Sequence, residues 1–148
     1  VKVGHLSIDP TIRTWMDDTP RYLPPIGIGE VVRSGGIGEI AASRTGTLPV
    51  GATVFGMLGW QEYALVDGAA GSITVVPPGV DPGIVVGVLG VTGMTAYFGL
   101  KDIGRPGPGD TVVVSGAAGA TGSVVGQLAR IEGAGTVVGL AGSADKCA

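Results

Sequence analysis

One cysteine, Cys147, and one histidine, His5, are all this chain offers of the side chains that most often hold transition metals or close disulfides. A single thiol cannot form an internal disulfide or supply the four thiolates of a structural zinc site. A reduced, cytoplasmic setting is the expectation. Charge is scarce too: Asp, Glu, Lys and Arg make up 14% of the residues, with nine Lys and Arg against twelve Asp and Glu. No basic run or stripe is available to neutralise phosphates. Nucleic acid and an anionic membrane surface are therefore excluded as partners. The opening residues, Val1-Lys2-Val3-Gly4-His5, hold neither an initiator Met nor the apolar stretch of a signal peptide.

Uncharged runs, by contrast, are long. Residues 82–100 and 111–129 are free of Asp, Glu, Lys and Arg, close to the span of about 20 residues that a bilayer requires. Gly122 and Gly126 have the spacing of close helix packing. Glycines and threonines break both runs, and the second opens on a β-branched stretch. Buried strands and helices, with no membrane partner, are the expectation. The 29 glycines and 10 prolines approach a low-complexity composition. The 45% of hydrophobic residues and the low charge still allow a core.

Residues 1–80 read as short strands between turns: Val3–Leu6, Gly29–Arg33, Gly38–Ala42, Thr53–Met57, Glu62–Val66 and Ile73–Val76. Such spacing predicts a small antiparallel barrel or sandwich. Asp9-Pro10 and Asp17-Asp18-Thr19-Pro20 bracket a possible helical turn. The texture changes at Pro77-Pro78-Gly79, after which Asp81 is the expected N-cap and Pro82 the first helical residue. Helix is expected over 83–89 and 94–103. Thr111–Ser115 then reads as a strand buried on both faces, followed by a glycine turn, a helix and a second buried strand over Thr136–Ala141: one βαβ unit. One such unit leaves strand edges unpaired, so a fragment of a longer protein is expected.

The glycine turn carries the chemistry. Gly116 is followed by Ala117-Ala118-Gly119-Ala120-Thr121-Gly122, a G-x-G-x-x-G pattern with alanine in first place. A dinucleotide needs a tight strand-to-helix turn, backbone N–H groups aimed at its pyrophosphate, and a helix lying close to the strands. Gly119 would admit the pyrophosphate; Gly122 and Gly126 would bring the helix in. The pattern alone is weak in so glycine-rich a chain, and a turn that only packs a helix is the competing reading. The preceding strand and following helix strengthen it. A Walker loop is excluded, because no Lys-Ser or Lys-Thr follows. After the second strand, Ala141-Gly142-Ser143 stands where an NAD-binding unit holds a carboxylate, and Lys146 follows. Without that carboxylate, and with a lysine near, NADP is the expected coenzyme.

These residues resemble the zinc-independent medium-chain dehydrogenase/reductases, in particular the leukotriene B4 dehydrogenase, prostaglandin reductase and alkenal double-bond reductase family. Leu6–Pro10, Gly59-Trp60-Gln61-Glu62-Tyr63, Gly93–Leu100 and Ser115–Gln127 carry the resemblance, with Gly139–Ser143 beside them. It implies an α/β chain: a partial GroES-like antiparallel β catalytic domain over 1–80, then the first βαβ half of an NADP-binding Rossmann domain over 81–148. Family chains run to about twice this length. The implied reaction is hydride transfer to the β-carbon of α,β-unsaturated ketones or aldehydes, or the reverse on allylic alcohols. A homodimer in the full-length form is implied too. Gly119, Ala120, Thr121 and Gly122 match the family's pyrophosphate turn. Gly142 and Lys146 match its adenosine-phosphate end, and Thr95 its threonine near the nicotinamide. Pro10 and Thr11 match a Pro-Tyr pair lining the pocket, with Thr11 in place of the tyrosine; Trp60 is a candidate pocket wall. The metal ligands of the zinc-dependent cousins are missing, since Leu6 sits near the expected first cysteine and no Gly-His-Glu occurs. No acid or base is assigned: Tyr63 and Tyr97 have hydroxyls, but aromatics pack readily in cores. Quinone reduction by the same superfamily and an inactive truncated fragment are the alternatives.

Overall fold

The computed structural model describes residues 1–18, 23–68 and 71–147; Thr19 and Pro20 of the expected turn lie outside the described residues. The chain folds as two compact units, Val1–Val86 and Gly87–Ala148. In the first, β1 (Lys2–Leu6), β2 (Gly36–Glu39), β3 (Thr53–Gly56) and β4 (Ile73–Val75) form an antiparallel sheet in that order. A short helix, α1 (Pro10–Trp15), leaves the end of β1, and α2 (Pro82–Val86) closes the unit.

Glycines let β2 lie unusually close to its neighbour. A Cβ on Gly36 would come within 2.9 Å of the His5 carbonyl, and one on Gly38 within 2.6 Å of the Val1 side chain. Behind the sheet, Ile37, Val76 and Val85 form the buried cluster, with Phe55, Val80 and Val86 against it. Each such side chain removed from water contributes about 1.5–3 kcal/mol.

Four expected strands of this unit are observed, with ends moved by no more than three residues; two are not. Gly29–Arg33 begins in a turn instead, because the Glu30 carboxylate accepts from the Gly27 amide at 2.9 Å and Gly29 takes φ +89°. Glu62–Val66 is not a strand; it meets β1 and the residue before it through the Lys2–Tyr63 bridge, the Val3–Glu62 and Ala64–Val1 backbone bonds and a bond from the Val1 amino group to the Ala64 carbonyl at 2.8 Å. Asp81 does cap the start of α2, accepting from the Gly83 amide at 2.6 Å, with Pro82 first in the helix.

The second unit opens with α3 (Val91–Phe98), which passes into a wider π-helical turn, Gly99–Gly104. Of the expected helices, 83–89 appears as the shorter Pro82–Val86, whereas 94–103 lies within the continuous run of α3 and the π-helical turn, which starts three residues earlier, at Val91. β5 (Thr111–Ser115) and β6 (Thr136–Leu140) pair in parallel, Thr111 opposite Thr136 and Ser115 opposite Leu140, and α4 (Ala120–Ile131) is the crossover. The strands start together because the Gly109 amide donates to the Gly133 carbonyl at 2.9 Å and the Gly135 amide to that of Asp110 at 2.9 Å. A Cβ on Gly135 would sit 2.6 Å from the Gly109 oxygen.

The expectation of strands buried on both faces is wrong within this chain. Val113 is 59% and Leu140 53% exposed. The sheet has two strands, and one face only meets α4, so residues alternating along each strand face outward uncovered. Among the described residues, no helix is long and apolar enough to cross a membrane.

Candidate functional site

The glycine turn begins where β5 ends. Gly116 takes φ +60°, a left-handed conformation open to glycine at no steric cost, and its carbonyl accepts from the Gly119 amide at 2.9 Å. Gly119 is the N-cap of α4, and the first intrahelical bond runs from the Ser123 amide to the Gly119 carbonyl at 2.9 Å. No side chain caps this helix. The amides of Ala120, Thr121 and Gly122 occupy the first turn, where helical geometry provides no intrahelical acceptor. They point outward from the positive end of the helix dipole.

Gly122 brings α4 down onto this turn. An added Cβ would lie 2.8 Å from the Ala117 Cα and closer still to the Gly116 carbonyl oxygen. Gly126 has no such role, contrary to expectation: a Cβ there would meet only the Val137 side chain, at 3.8 Å. A groove of about 220 Å³ runs between helix and strands, lined by Val114, Ala117, Gly122, Gly126, Val137 and Gly139.

The parallel pairing brings the second candidate segment to the same end of the sheet. The Ala117 amide donates to the Leu140 carbonyl at 3.0 Å, which ties the turn to the last residue of β6. Ala141, Gly142 and Ser143 follow, then a single 3-10 turn, Ala144–Lys146, in which the Lys146 amide donates to the Ser143 carbonyl at 3.1 Å. Lys146 is exposed. Thr95 lies on the exposed side of α3, its hydroxyl donating to the Val91 carbonyl at 2.7 Å.

Pro10 and Thr11 open α1 in the other unit. Asp9 caps that helix, accepting from the Thr11 amide at 2.7 Å, and Pro10 takes the first position, where its missing N–H costs nothing. Trp60 is 39% exposed, and its indole N–H donates to the Ser7 carbonyl at 3.4 Å, so it stands beside the segment that leads into α1. Ser34 was not foreseen. It is 1% exposed, and its hydroxyl lies 2.6 Å from the same Ser7 carbonyl; a serine after an arginine carries no sequence signal for that role. Tyr63 and Tyr97 are both exposed. Among the described residues, no three of His, Cys, Asp and Glu gather in a way that could hold a metal.

Comparison with known proteins follows the same lines. Residues 1–75 match the family model of an N-terminal domain of oxidoreductase, which is just over half of the chain. The chain belongs to that family, among the medium-chain dehydrogenase/reductases. Over 99% of its length it is 47% identical to the putative NADP-dependent oxidoreductase YfmJ of Bacillus subtilis and 41% identical to the NADPH-dependent curcumin reductase of Escherichia coli. It spans 42% of the length of each of these curated relatives. The crystal structure of CurA from Vibrio vulnificus in complex with NADPH superposes over 99% of the chain and 43% of its own, with a TM-score of 0.89 at 40% identity. The GroES-like antiparallel sheet and the βαβ unit of this family are thus the fold class that the sequence implied.

Proposed function

We propose that this protein is an NADPH-dependent reductase of the C=C bond in α,β-unsaturated ketones or aldehydes. The observation that carries the reading is the uncapped start of α4: three first-turn amides at the carboxyl end of two parallel strands, beside Gly119. A pyrophosphate supplies the acceptors these donors lack. The relatives named NADP-dependent reductases support the same coenzyme.

A bound NADPH would supply the hydride for the β-carbon of the enone, the π electrons passing to the carbonyl oxygen as an enolate whose α-carbon then takes a proton from water. The chain's own residues hold and orient. Ala120, Thr121 and Gly122 donate backbone hydrogen bonds to the pyrophosphate, which Gly119 admits without a side chain in the way. Lys146 would hold the 2′-phosphate, and Gly142 would leave the chain beside it unobstructed. The Thr95 hydroxyl commits its hydrogen to the Val91 carbonyl, so its oxygen serves as an acceptor for an amide N–H of the nicotinamide. Pro10, Thr11 and Trp60 wall the substrate pocket. Thr11 presents a small hydroxyl there and leaves more room than a phenol would.

Gly119→Val tests this reading in the protein expressed from its complete gene. A Cβ at Gly119 lies 3.1 Å from the Gly116 carbonyl, a contact that a small shift relieves, so the fold survives. NADPH affinity is expected to fall at least about tenfold, or ~1.4 kcal/mol. Unchanged affinity sinks the pyrophosphate role. An enone and a quinone offered in parallel then decide the substrate class: turnover of the quinone alone overturns the enone reading.

A further inference from the structure

Arg33 and Ser34, adjacent residues just before β2, hold the two ends of the excursion that carries α1. At the near end, the Ser34 hydroxyl reaches the Ser7 carbonyl at 2.6 Å, two residues before the Asp9 cap. At the far end, the Arg33 guanidinium carbon stands 5.9 Å from the ring centroid of Trp15, the last residue of the helix. One terminal nitrogen of the same guanidinium donates to the Pro24 carbonyl, where the chain returns. The Ile26 amide closes the return by donating to the Trp15 carbonyl at 2.7 Å.

A purely structural role accounts poorly for the arginine. Its Nε is buried without a hydrogen-bond partner, and an unsatisfied buried donor opposes folding. An apolar side chain over Trp15 would bury without that cost. What an arginine alone provides is a fixed planar fork that binds a carbonyl and an indole face together.

We propose that Arg33 is a positioning residue for the substrate pocket: by clamping Trp15 and Pro24 it sets where α1 stands, and with it Pro10 and Thr11. This rests on the reading that Pro10 and Thr11 line that pocket. Arg33 acts through α1 and touches no reacting atom. Loss of the clamp therefore alters substrate binding and leaves the coenzyme end, in the other unit, untouched.

The test uses steady-state kinetics of the complete protein with an enone and NADPH. Arg33→Met is expected to raise the enone KM about tenfold with the NADPH KM unchanged. Arg33→Lys, which keeps the charge and loses the fork, is expected to recover only part of it. Equal KM values in wild type and Arg33→Met overturn the clamp, as does equal loss toward both substrates. If Arg33→Met does not fold, Trp15→Phe, which keeps an aromatic face of smaller area, gives the same reading with a smaller rise. In fluorine spectra of the fluorotryptophan-labelled protein, the resonance that Trp15→Phe removes belongs to Trp15, and Arg33→Lys must shift it; an unshifted resonance refutes the contact. Thr11→Arg separates the two claims. If it leaves the enone KM alone, the pocket reading fails and the clamp with it. If it raises the enone KM while Arg33→Met does not, the clamp alone fails.

Discussion

Ala117 donates its amide to the carbonyl of Leu140 at 3.0 Å, and this one bond joins the turn that begins α4 to the residue that ends β6. The two segments proposed to hold opposite parts of a dinucleotide are thereby fixed to each other before any ligand arrives. Pre-ordering of this kind lowers the entropy cost of binding.

Two glycines on one helix should respond oppositely to alanine. Gly122→Ala drives a methyl into the Gly116–Ala117 backbone, an overpacking expected to cost about 1–3 kcal/mol. Gly126→Ala meets only Val137, at 3.8 Å, and gains about 1 kcal/mol from helix propensity. Chemical denaturation of the two variants checks both signs.

Coenzyme choice should turn on Lys146. A charge-assisted contact with a 2′-phosphate is worth about 1.5–3 kcal/mol, so NADPH is expected to be preferred over NADH by about tenfold to a hundredfold. Lys146→Ala should remove most of that preference by raising the NADPH KM alone, and Ala141→Asp should reverse it. Equal use of both coenzymes by wild type would refute the role.

The cap of α1 should matter to stability and to substrate together. Asp9→Ala removes the carboxylate that the Thr11 amide donates to, a loss of about 0.5–2 kcal/mol. The enone KM is expected to rise with it, because Thr11 is the residue released. A rise in the NADPH KM instead would place the effect elsewhere.

Lys101 ties the π-helical turn to the end of α4. Its ammonium donates to the Glu132 carboxylate at 2.5 Å, and that hydrogen bond raises its pKa above the ordinary lysine value. A group whose folded pKa lies above its unfolded one contributes stability that is fully present below the unfolded value. That contribution is lost as pH rises through the folded one. The loss is therefore expected above about pH 10, and it should vanish in Glu132→Gln. Thermal unfolding of both proteins from pH 8 to 11 (about three units across the lysine range) gives the comparison.

In the second unit the two strands and the turn between them were legible almost residue by residue, while the first helix starts three residues before its expected position. Thr111–Ser115 and the turn from Gly116 to Gly122 stood out because a β-branched run, a glycine cluster and an amphipathic helix have different periods. The first unit was less so. Gly29–Arg33 looks extended, but the Glu30 side chain turns back on the Gly27 amide, a local bond that β-propensity does not register. The burial of β5 and β6 was misread because apolar composition reports what a strand is suited to, whereas exposure depends on the neighbours supplied. Arg33 was invisible for a related reason. Its partners, Trp15 and Pro24, lie 18 and nine residues away, and no spacing rule links a guanidinium to an indole across a loop.

Gly109 and Gly135 interlock the starts of β5 and β6, and Gly139 meets Ala117 near their ends, where an added Cβ would lie 2.8 Å from that of Ala117. Sliding β6 by one residue would bring Val138 or Leu140 against Ala117 and break the interlock at the other end. The strand pair thus works as a gauge with a stop at each end. The spacing between pyrophosphate and adenosine anchors is set by counting residues along β6, and one inserted or deleted residue between Gly135 and Gly139 would uncouple the two anchors while leaving every side chain proposed to bind the coenzyme in the sequence.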